Sequence, residues 1–212
     1  MNPIVEFWAR CPLSKPPFVH PDDRPALQQY SRSKPDLATY DDFQSFVTSP
    51  RFGAFSDSHL EFSLIPVPYA GDLARADIFV LQLNPGLDFI DYWAECCRPE
   101  FKMRLESNLR QRFSDVEFPF LYFDPQFCWH GGFTWWERKF REVASEIAKL
   151  KFRGCYFDAL RDLSRRVAML ELIPYHSISF SDHRVLPHLP SAKQAQMFAR
   201  GELSTRPETE KR

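Results

Sequence analysis

The sequence predicts an α/β layer fold with a small, mostly parallel sheet, and two apolar strands are the basis of this prediction. Residues 78–83, Ile-Phe-Val-Leu-Gln-Leu, are nearly all apolar, which is typical of a strand covered on both faces. Residues 167–173 form a second apolar run, which Pro174 ends. Amphipathic helices separate the two runs, and strands that alternate with helices favour parallel pairing. Two strong strands make a thin sheet for 212 residues, so either the N-terminal third holds further strands or the fold is short of a piece at its C-terminus.

Both ends of the chain differ in composition from its middle. Residues 1–60 are rich in proline, which interrupts long helices and strands. We therefore expect this segment to pack on the main domain as extended pieces and short helices, one of them beginning near Pro25 with Asp23 as its N-cap. Residues 201–212 are polar and are predicted to be disordered.

The main α/β domain is expected to span residues 61–200. Residues 61–69 alternate enough for a strand, but their two prolines confine it to a sheet edge. Helical periodicity or capping patterns mark residues 99–113, 135–150, 155–165 and 191–198. Thr134 and Glu137 form a capping box at the start of the second of these helices, and a similar Ser-x-x-Gln pattern starts the last.

Composition and charge disfavour several classes of function. Hydrophobic residues make up 44% of the chain and charged residues 26%, which is ordinary for a globular protein. The net charge of -1 lacks the basic excess of domains built to hold nucleic-acid backbone, so tight non-specific binding is disfavoured. The chain has 7 glycines, and neither G-x-G-x-x-G nor G-x-x-x-x-G-K-[ST] occurs. Kinase, P-loop and dinucleotide-binding functions are therefore disfavoured, and we expect no cofactor.

Cysteine and histidine usage predicts a reduced, metal-free protein of the cytoplasm. The 5 cysteines are odd in number and form no Cys-x-x-Cys pair, which indicates free thiols. His176, His183 and His188 lack the helical spacing of a zinc-protease pair, and no cysteine pair joins them. The first residues contain no basic segment followed by an apolar run, and the longest apolar stretch is too short to span a bilayer. We therefore expect a cytoplasmic protein without membrane contact.

The most informative candidate site is Asn84-Pro85-Gly86, which directly follows the first strong strand. Ligands of open α/β sheets bind beyond the carboxyl ends of strands. Pro85 favours an extended Asn84, and Gly86 would let the backbone approach a ligand closely. The Asn84 amide offers donors and an acceptor, so it can read an amide-like edge or hold a water molecule. The alternative is an ordinary Asn-Pro-Gly turn.

A second candidate site follows the other strong strand, in the run Glu-Leu-Ile-Pro-Tyr-His-Ser at 171–177. If the two strands are neighbours, Tyr175 and His176 emerge beside Asn84, where His176 could donate a proton and Tyr175 could stack. Glu171 is unusual within an apolar strand and should need a partner. In the alternative interpretation, His176 lies in a surface loop and Glu171 faces solvent at a sheet edge.

Aromatic side chains are concentrated in residues 118–136. Aromatic rings can stack on an unpaired base, so this segment is a candidate for base binding. Such density is also typical of a loop that packs onto the core, and we favour the core interpretation.

Residues 76–87, which contain Asn84-Pro85-Gly86, resemble the first active-site motif of the uracil-DNA glycosylase superfamily. They are closest to the mismatch-specific and single-strand-selective branches, whose strand ends in Gly-Ile-Asn-Pro-Gly or Gly-Met-Asn-Pro-Gly. Residues 167–177 are similar to the next core strand of that superfamily, and residues 68–72 to the loop before its first strand.

The resemblance implies a three-layer, doubly wound α/β/α domain that takes a base out of the stack and cleaves its N-glycosidic bond. Its partner would be DNA, either single-stranded or carrying a damaged base. Asn84 would position the attacking water, and the backbone around Pro85 and Gly86 would face the base. An aromatic residue after the motif, Phe89, Tyr92 or Trp93, would stack on the base. Tyr175 and Ser177 are also expected to contact it, with His176 as a second catalytic residue.

Two differences from the superfamily keep another interpretation open. Gln82 stands where the superfamily has a glycine two places before its Asn. No His-Pro-Ser or Asn-Pro-Ser motif follows a late apolar strand, and residues 188–191, His-Leu-Pro-Ser, are the nearest equivalent. The alternative is a non-catalytic or shortened α/β binding module that needs a partner chain or self-association to complete its sheet.

Overall fold

The computed structural model describes residues 2–35, 39–53 and 59–205. The helices are α1 (Pro3–Ala9), α2 (Arg24–Tyr30), α3 (Phe43–Val47), α4 (Pro50–Gly53), α5 (Phe89–Cys97), α6 (Pro99–Leu109), α7 (Gly131–Lys151), α8 (Tyr156–Arg166) and α9 (Pro190–Thr205). The strands are β1 (Tyr69–Ala70), β2 (Ile78–Gln82) and β3 (Val167–Glu171), with 3-10 turns at Leu121–Phe123, Pro125–Phe127 and Leu186–His188. The α/β class predicted from the sequence is therefore confirmed, with helices in the majority.

The described strands form one mixed sheet in the order β1-β3-β2. β2 runs parallel to β3, from Ile78 opposite Val167 to Gln82 opposite Glu171. The short β1 pairs with β3 in the antiparallel direction. The two strongest predicted strands are thus parallel neighbours, and their carboxyl ends lie side by side. Parallel pairing was favoured from the sequence, which left open whether these two strands are adjacent.

The burial predicted for residues 78–83 was wrong, because β2 lies at an edge of the sheet. All residues of the central β3 are buried, whereas Leu81 in β2 is 60% exposed and Leu83 just after it is 43% exposed. An apolar run indicates that a strand can be buried on both faces. It does not indicate how many strands lie beside it, because the order of the sheet depends on residues elsewhere in the chain.

Helices lie against both faces of the sheet. Phe79 of β2 contacts Phe198 of α9, with ring centroids 5.9 Å apart. On the opposite face, Met169 of β3 lies near Trp136 of α7, and both side chains line the same cavity. Alternate strand residues point to opposite faces, so this arrangement follows from the period of two along each strand.

The N-terminal segment shares the main hydrophobic core. Ile4 and Trp8 of α1 are buried in the same cluster as the residues of β3. Helix α2 begins at Arg24, close to the predicted position, but the Asp23 side chain does not cap it. The Asp23 carboxylate instead accepts hydrogen bonds from the Tyr175 hydroxyl at 2.7 Å and from the Ser191 amide at 2.9 Å. This buried carboxyl group therefore joins the N-terminal segment to the run after β3 and to α9.

The strand predicted over residues 61–69 is mostly absent. Of residues 61–69, only Tyr69 lies in a strand, as the first residue of β1. Glu61 forms an isolated antiparallel bridge with His176. The two prolines of this stretch carry no N–H for a ladder, which explains why regular pairing stops there.

Two predicted helix starts differ from the structure. Helix α7 begins at Gly131 rather than after Thr134, because the Nδ1 atom of His130 accepts the Gly132 amide at 3.0 Å and acts as the N-cap. The Glu137 carboxylate instead accepts a hydrogen bond from the Tyr156 hydroxyl at 2.7 Å. Helix α9 begins at Pro190 and continues to Thr205, so the start of the tail predicted to be disordered is helical. The rest of that tail, residues 206–212, lies outside the described residues.

All five cysteines are free in the structure, as their number and spacing predicted. No helix in the described ranges is both long and apolar enough to cross a membrane.

Candidate functional site

A cavity of about 410 Å³ opens where β2 and β3 end. It lies beyond the carboxyl ends of two parallel strands, where α/β proteins bind their ligands. Its walls come from the loop at 84–88, from Ile90 and Asp91 of α5, from Tyr122, from the first turns of α7 and from the ends of the two strands. Cavities of roughly 300–1,000 Å³ hold small organic ligands, so this one is large enough for a heterocyclic base.

Asn84 lines this cavity with a fixed amide orientation. Its Nδ2 atom donates to the Pro85 carbonyl oxygen and to the Ser177 Oγ atom, both at 2.8 Å. Because a carbonyl oxygen can only accept, the nitrogen of the amide must face Pro85. The Oδ1 atom has no hydrogen-bond partner in the described parts of the chain. Asn84 therefore offers an acceptor to a ligand or a water molecule.

Backbone hydrogen bonds join the two loops that follow the strands. The Ile173 amide donates to the Leu83 carbonyl at 2.8 Å, and the Ser177 amide donates to the Pro85 carbonyl at 3.3 Å. These bonds extend the contact between β2 and β3 past the ends of both strands. The predicted meeting of Asn84 with the 171–177 run is therefore observed, and Ser177 holds Asn84 rather than lining the cavity itself.

His176 also lines the cavity, but both of its ring nitrogens face backbone carbonyls. Nδ1 lies 2.8 Å from the Gly86 oxygen and Nε2 lies 3.2 Å from the Ile65 oxygen. The ring is buried and fastens the loop after β2 to the segment before β1. This geometry gives His176 a positioning role, in contrast with the surface loop of the alternative interpretation.

Gly86 is exposed, and a Cβ atom there would meet no neighbour, so packing within the chain does not require this glycine.

Glu171 ends β3 and forms part of the cavity wall. Its side chain is 1% exposed, and its Oε2 atom is buried without a hydrogen-bond partner. Burial, with no charged neighbour contributing, raises the pKa of Glu171 to about 8. The solvent-facing position of the alternative interpretation is therefore wrong, because β3 is the central strand. The hydrogen-bond partner that we expected for Glu171 from its place in an apolar strand is absent among the described residues.

An aromatic wall stands opposite the strand ends. Tyr122 and Trp136 are buried, whereas Trp135 is 38% exposed. A Cβ atom on Gly132 would lie 2.6 Å from the Tyr122 ring, so the ring position depends on glycine there. The Lys139 ammonium lies 4.6 Å from the centroid of Trp135, which holds this indole by a cation–π contact.

Most of the aromatic residues at 118–136 pack in the core, as favoured from the sequence. Phe118, Phe120, Phe123 and Phe127 are all buried in the main cluster. Trp135 differs, because it is partly exposed and lines the cavity, and the sequence analysis did not single it out within the segment. The signal was present, because Trp135 lies outside the apolar stripe that begins with Trp136 and Phe140 of the same helix.

Asp91 and His130 form a polar pair at the N-terminus of α7. The His130 Nε2 atom lies 3.0 Å from Asp91 Oδ1, but without the alignment of a hydrogen bond. Asp91 Oδ2 accepts the Asp88 amide at 2.6 Å in the capping box of α5. The two aspartates place negative charge at the rim of the cavity, and neither was singled out from the sequence.

The aromatic residues predicted after the Asn-Pro-Gly motif do not line the cavity. Tyr92 is buried and stacks on Phe46 at 3.7 Å, and its hydroxyl donates to a buried glutamate, Glu61, at 2.7 Å. Phe89 is 39% exposed and packs near the same phenylalanine. Trp93 packs edge-on against another tryptophan, with centroids 5.2 Å apart. Helix α5 turns these side chains away from the strand ends, because consecutive residues of a helix point in different directions.

Tyr175 is also absent from the cavity. It is fully buried, donates to Asp23 and accepts the His20 amide at 3.3 Å. Tyr175 and His176 are consecutive residues, but Tyr175 enters the core while His176 lines the cavity.

Among the described residues, no group of three or more histidine, cysteine, aspartate or glutamate side chains is arranged to hold a metal ion. No protein-family model, curated protein or solved structure matches this chain.

Proposed function

We propose that this cavity binds an unpaired base and that the chain hydrolyses the N-glycosidic bond of that base. The observation that supports this function most directly is the free acceptor of Asn84 inside the cavity. Both donors of the amide are used within the chain, so its remaining hydrogen-bonding capacity suits a water molecule or an N–H group of a ligand.

The chemistry that fits these residues is water attack on the anomeric carbon of the sugar. The water oxygen forms a bond to that carbon, the bond to the base nitrogen breaks, and the base leaves with the electron pair and takes up a proton. Asn84 cannot deprotonate water near neutral pH, so its part is to orient the nucleophile. The sugar becomes positively charged in such a reaction, and Asp88 and Asp91 at the rim supply negative charge that favours it.

The walls of the cavity suit a flat ring. Trp135 is partly exposed at the cavity and Tyr122 lies beside it, and aromatic side chains stack on bases of any sequence. The helices on both faces of the sheet support the three-layer arrangement that the resemblance to uracil-DNA glycosylases implies. The net charge of -1 favours a single-stranded substrate, for which few phosphate contacts are needed, over tight duplex binding.

The test is incubation of the folded protein with single-stranded oligonucleotides that contain uracil or hypoxanthine, followed by alkali to reveal abasic sites. Asn84→Ala should lower the rate by at least ~100-fold, the range seen when one polar group that stabilises a transition state is removed. Asn2→Ala, a matched substitution at the start of α1, should leave the rate unchanged. Equal rates for Asn84→Ala and the natural chain would reject the proposal.

The open edge of β2 favours a second candidate function, a binding module that pairs with another copy of the chain. Within the described ranges β2 pairs with β3 alone, and Leu81 is 60% exposed. An apolar unpaired edge is a template for strand addition. Light scattering after size-exclusion chromatography should then give a dimer that Leu81→Lys converts to a monomer. A monomer for the natural chain at micromolar concentration would exclude this candidate.

A further inference from the structure

We propose that Glu171 is the residue that recognises the ligand of this cavity, and that it does so as an uncharged acid which donates one hydrogen bond and accepts another. The ligand class is an uncharged heterocycle with an acceptor next to a donor, such as the keto oxygen and N–H of uracil or hypoxanthine. The inference rests on the proposed function in taking that ligand to be a base.

The missing partner of Glu171 is the first observation behind this proposal. The carboxyl group makes no hydrogen bond to any described residue, although the side chain is 1% exposed. The other buried glutamates among the described residues are different. Glu61 pairs with Arg51 and accepts the Tyr92 hydroxyl, and Glu95 accepts the Ile65 amide at 2.8 Å. An unpaired buried polar group is costly, so one that faces a cavity is a natural contact for a ligand.

The surroundings of Glu171 lack the cations that would stabilise its ionised form. Asp91 of α5 and Asp88, the N-cap of that helix, also line the cavity, and no lysine or arginine does so among the described residues. The Tyr122 hydroxyl is neutral, because burial first, and then Asp91 and Glu171, raise its pKa well above the usual range. An ionised Glu171 would therefore have no lysine or arginine to pair with, and burial raises the pKa of its carboxyl group.

A protonated carboxyl group has one O–H donor and a carbonyl acceptor side by side. This pair matches the keto oxygen and adjacent N–H of a lactam edge in two hydrogen bonds. The ionised group retains only acceptors and repels the keto oxygen. Sites that hydrogen-bond a ligand with buried groups discriminate strongly against ligands that leave those groups unpaired.

The test measures binding of free uracil and hypoxanthine to the full chain by calorimetry at pH 7 and pH 9, with pyrimidine as a ring that lacks both groups. Binding to the natural chain should weaken about tenfold at pH 9, because one pH unit above a pKa of about 8 leaves about a tenth of Glu171 protonated. Glu171→Gln, which keeps a donor beside an acceptor and cannot ionise, should show only the smaller pH dependence that comes from ionisation of the free bases themselves. Glu171→Leu should bind at least ~10-fold more weakly at pH 7, and pyrimidine should not bind detectably.

Glu95→Gln serves as the matched control, since Glu95 is buried outside the cavity. It should keep the pH dependence of the natural chain, and thermal melting should show that each variant is folded. Equal binding by Glu171→Leu, the same pH dependence in Glu171→Gln, or no binding of either base at pH 7 would overturn the inference. Binding with the expected dependence but no abasic sites would uphold this inference and reject the glycosylase. Base release that survives in Glu171→Leu would reject this inference and uphold the glycosylase.

Discussion

The buried carboxyl group of Glu171 should make the stability of this protein depend on pH, and replacing it with glutamine should remove that dependence. The ordinary pKa of 4.5 applies to the unfolded chain, and burial raises the folded value to about 8. A raised folded pKa means that the folded state binds the proton more tightly. The stabilising contribution is therefore complete below pH 4.5 and is lost as the pH rises through about 8.

The size of this effect follows from the two pKa values. A change from 4.5 to about 8 corresponds to ~5 kcal/mol at most, spread over that pH range. Folded domains are stable by only about 5–15 kcal/mol, so the loss should be large enough to measure. Glutamine has nearly the same shape as the protonated acid and cannot ionise. The free energy of unfolding of Glu171→Gln should therefore not show this decrease as the pH rises.

Urea unfolding of the natural chain and of Glu171→Gln from pH 5 to pH 9 is the direct measurement. The difference between their free energies of unfolding should change by ~3–5 kcal/mol in favour of the variant as the pH rises. Other buried carboxyl groups, such as Glu95, titrate in both proteins and cancel in the difference. Glu146→Gln on the exposed side of α7 is the matched control and should show no such change. A difference that varies by less than ~1 kcal/mol would refute the assignment of an uncharged Glu171.

Three further variants test the geometry of the cavity. Ser177→Ala removes one acceptor of the Asn84 amide at 2.8 Å, so it should cost ~1 kcal/mol in urea unfolding and lower any glycosylase rate less than Asn84→Ala does. Gly132→Ala should cost ~1–3 kcal/mol in thermal unfolding, because its methyl group would lie 2.6 Å from the Tyr122 ring, and an unchanged melting temperature would contradict the close contact. Trp135→Ala should weaken base binding by ~1–3 kcal/mol in calorimetry, the usual contribution of base stacking, with little change in stability because the indole is 38% exposed. Undiminished base binding would place the stacking surface elsewhere.

Local patterns in the sequence were enough to locate β2, β3 and the loop after β2 that lines the cavity. Both apolar runs became strands, they pair in parallel, and Asn84 meets the 171–177 run where they end. These features depend on neighbours in the chain and on the rule that ligands bind beyond the ends of parallel strands. The helices α6 and α8 were also foreseen from their periodicity, with ends within a few residues of those observed.

Side-chain directions in the site could not be predicted in the same way. Tyr175 and His176 are adjacent in the sequence, yet one enters the core and the other faces the cavity. The sequence did not distinguish Trp135, which lines the cavity, from the other aromatic residues at 118–136, most of which pack in the core. The face on which a side chain ends depends on which layer covers it, and that layer comes from residues far away in the sequence.

The sequence by itself determined that this is an α/β protein with a polar loop at the end of an apolar strand, because periodicity and proline act over a few residues. The tertiary structure alone decided that β3 is the central strand and β2 the edge. That order buries Glu171 beside the cavity without a partner and leaves Leu81 exposed. The physical reason is that solvation of a side chain is set by the whole packed assembly, and sheet order is a long-range property that a local pattern does not encode.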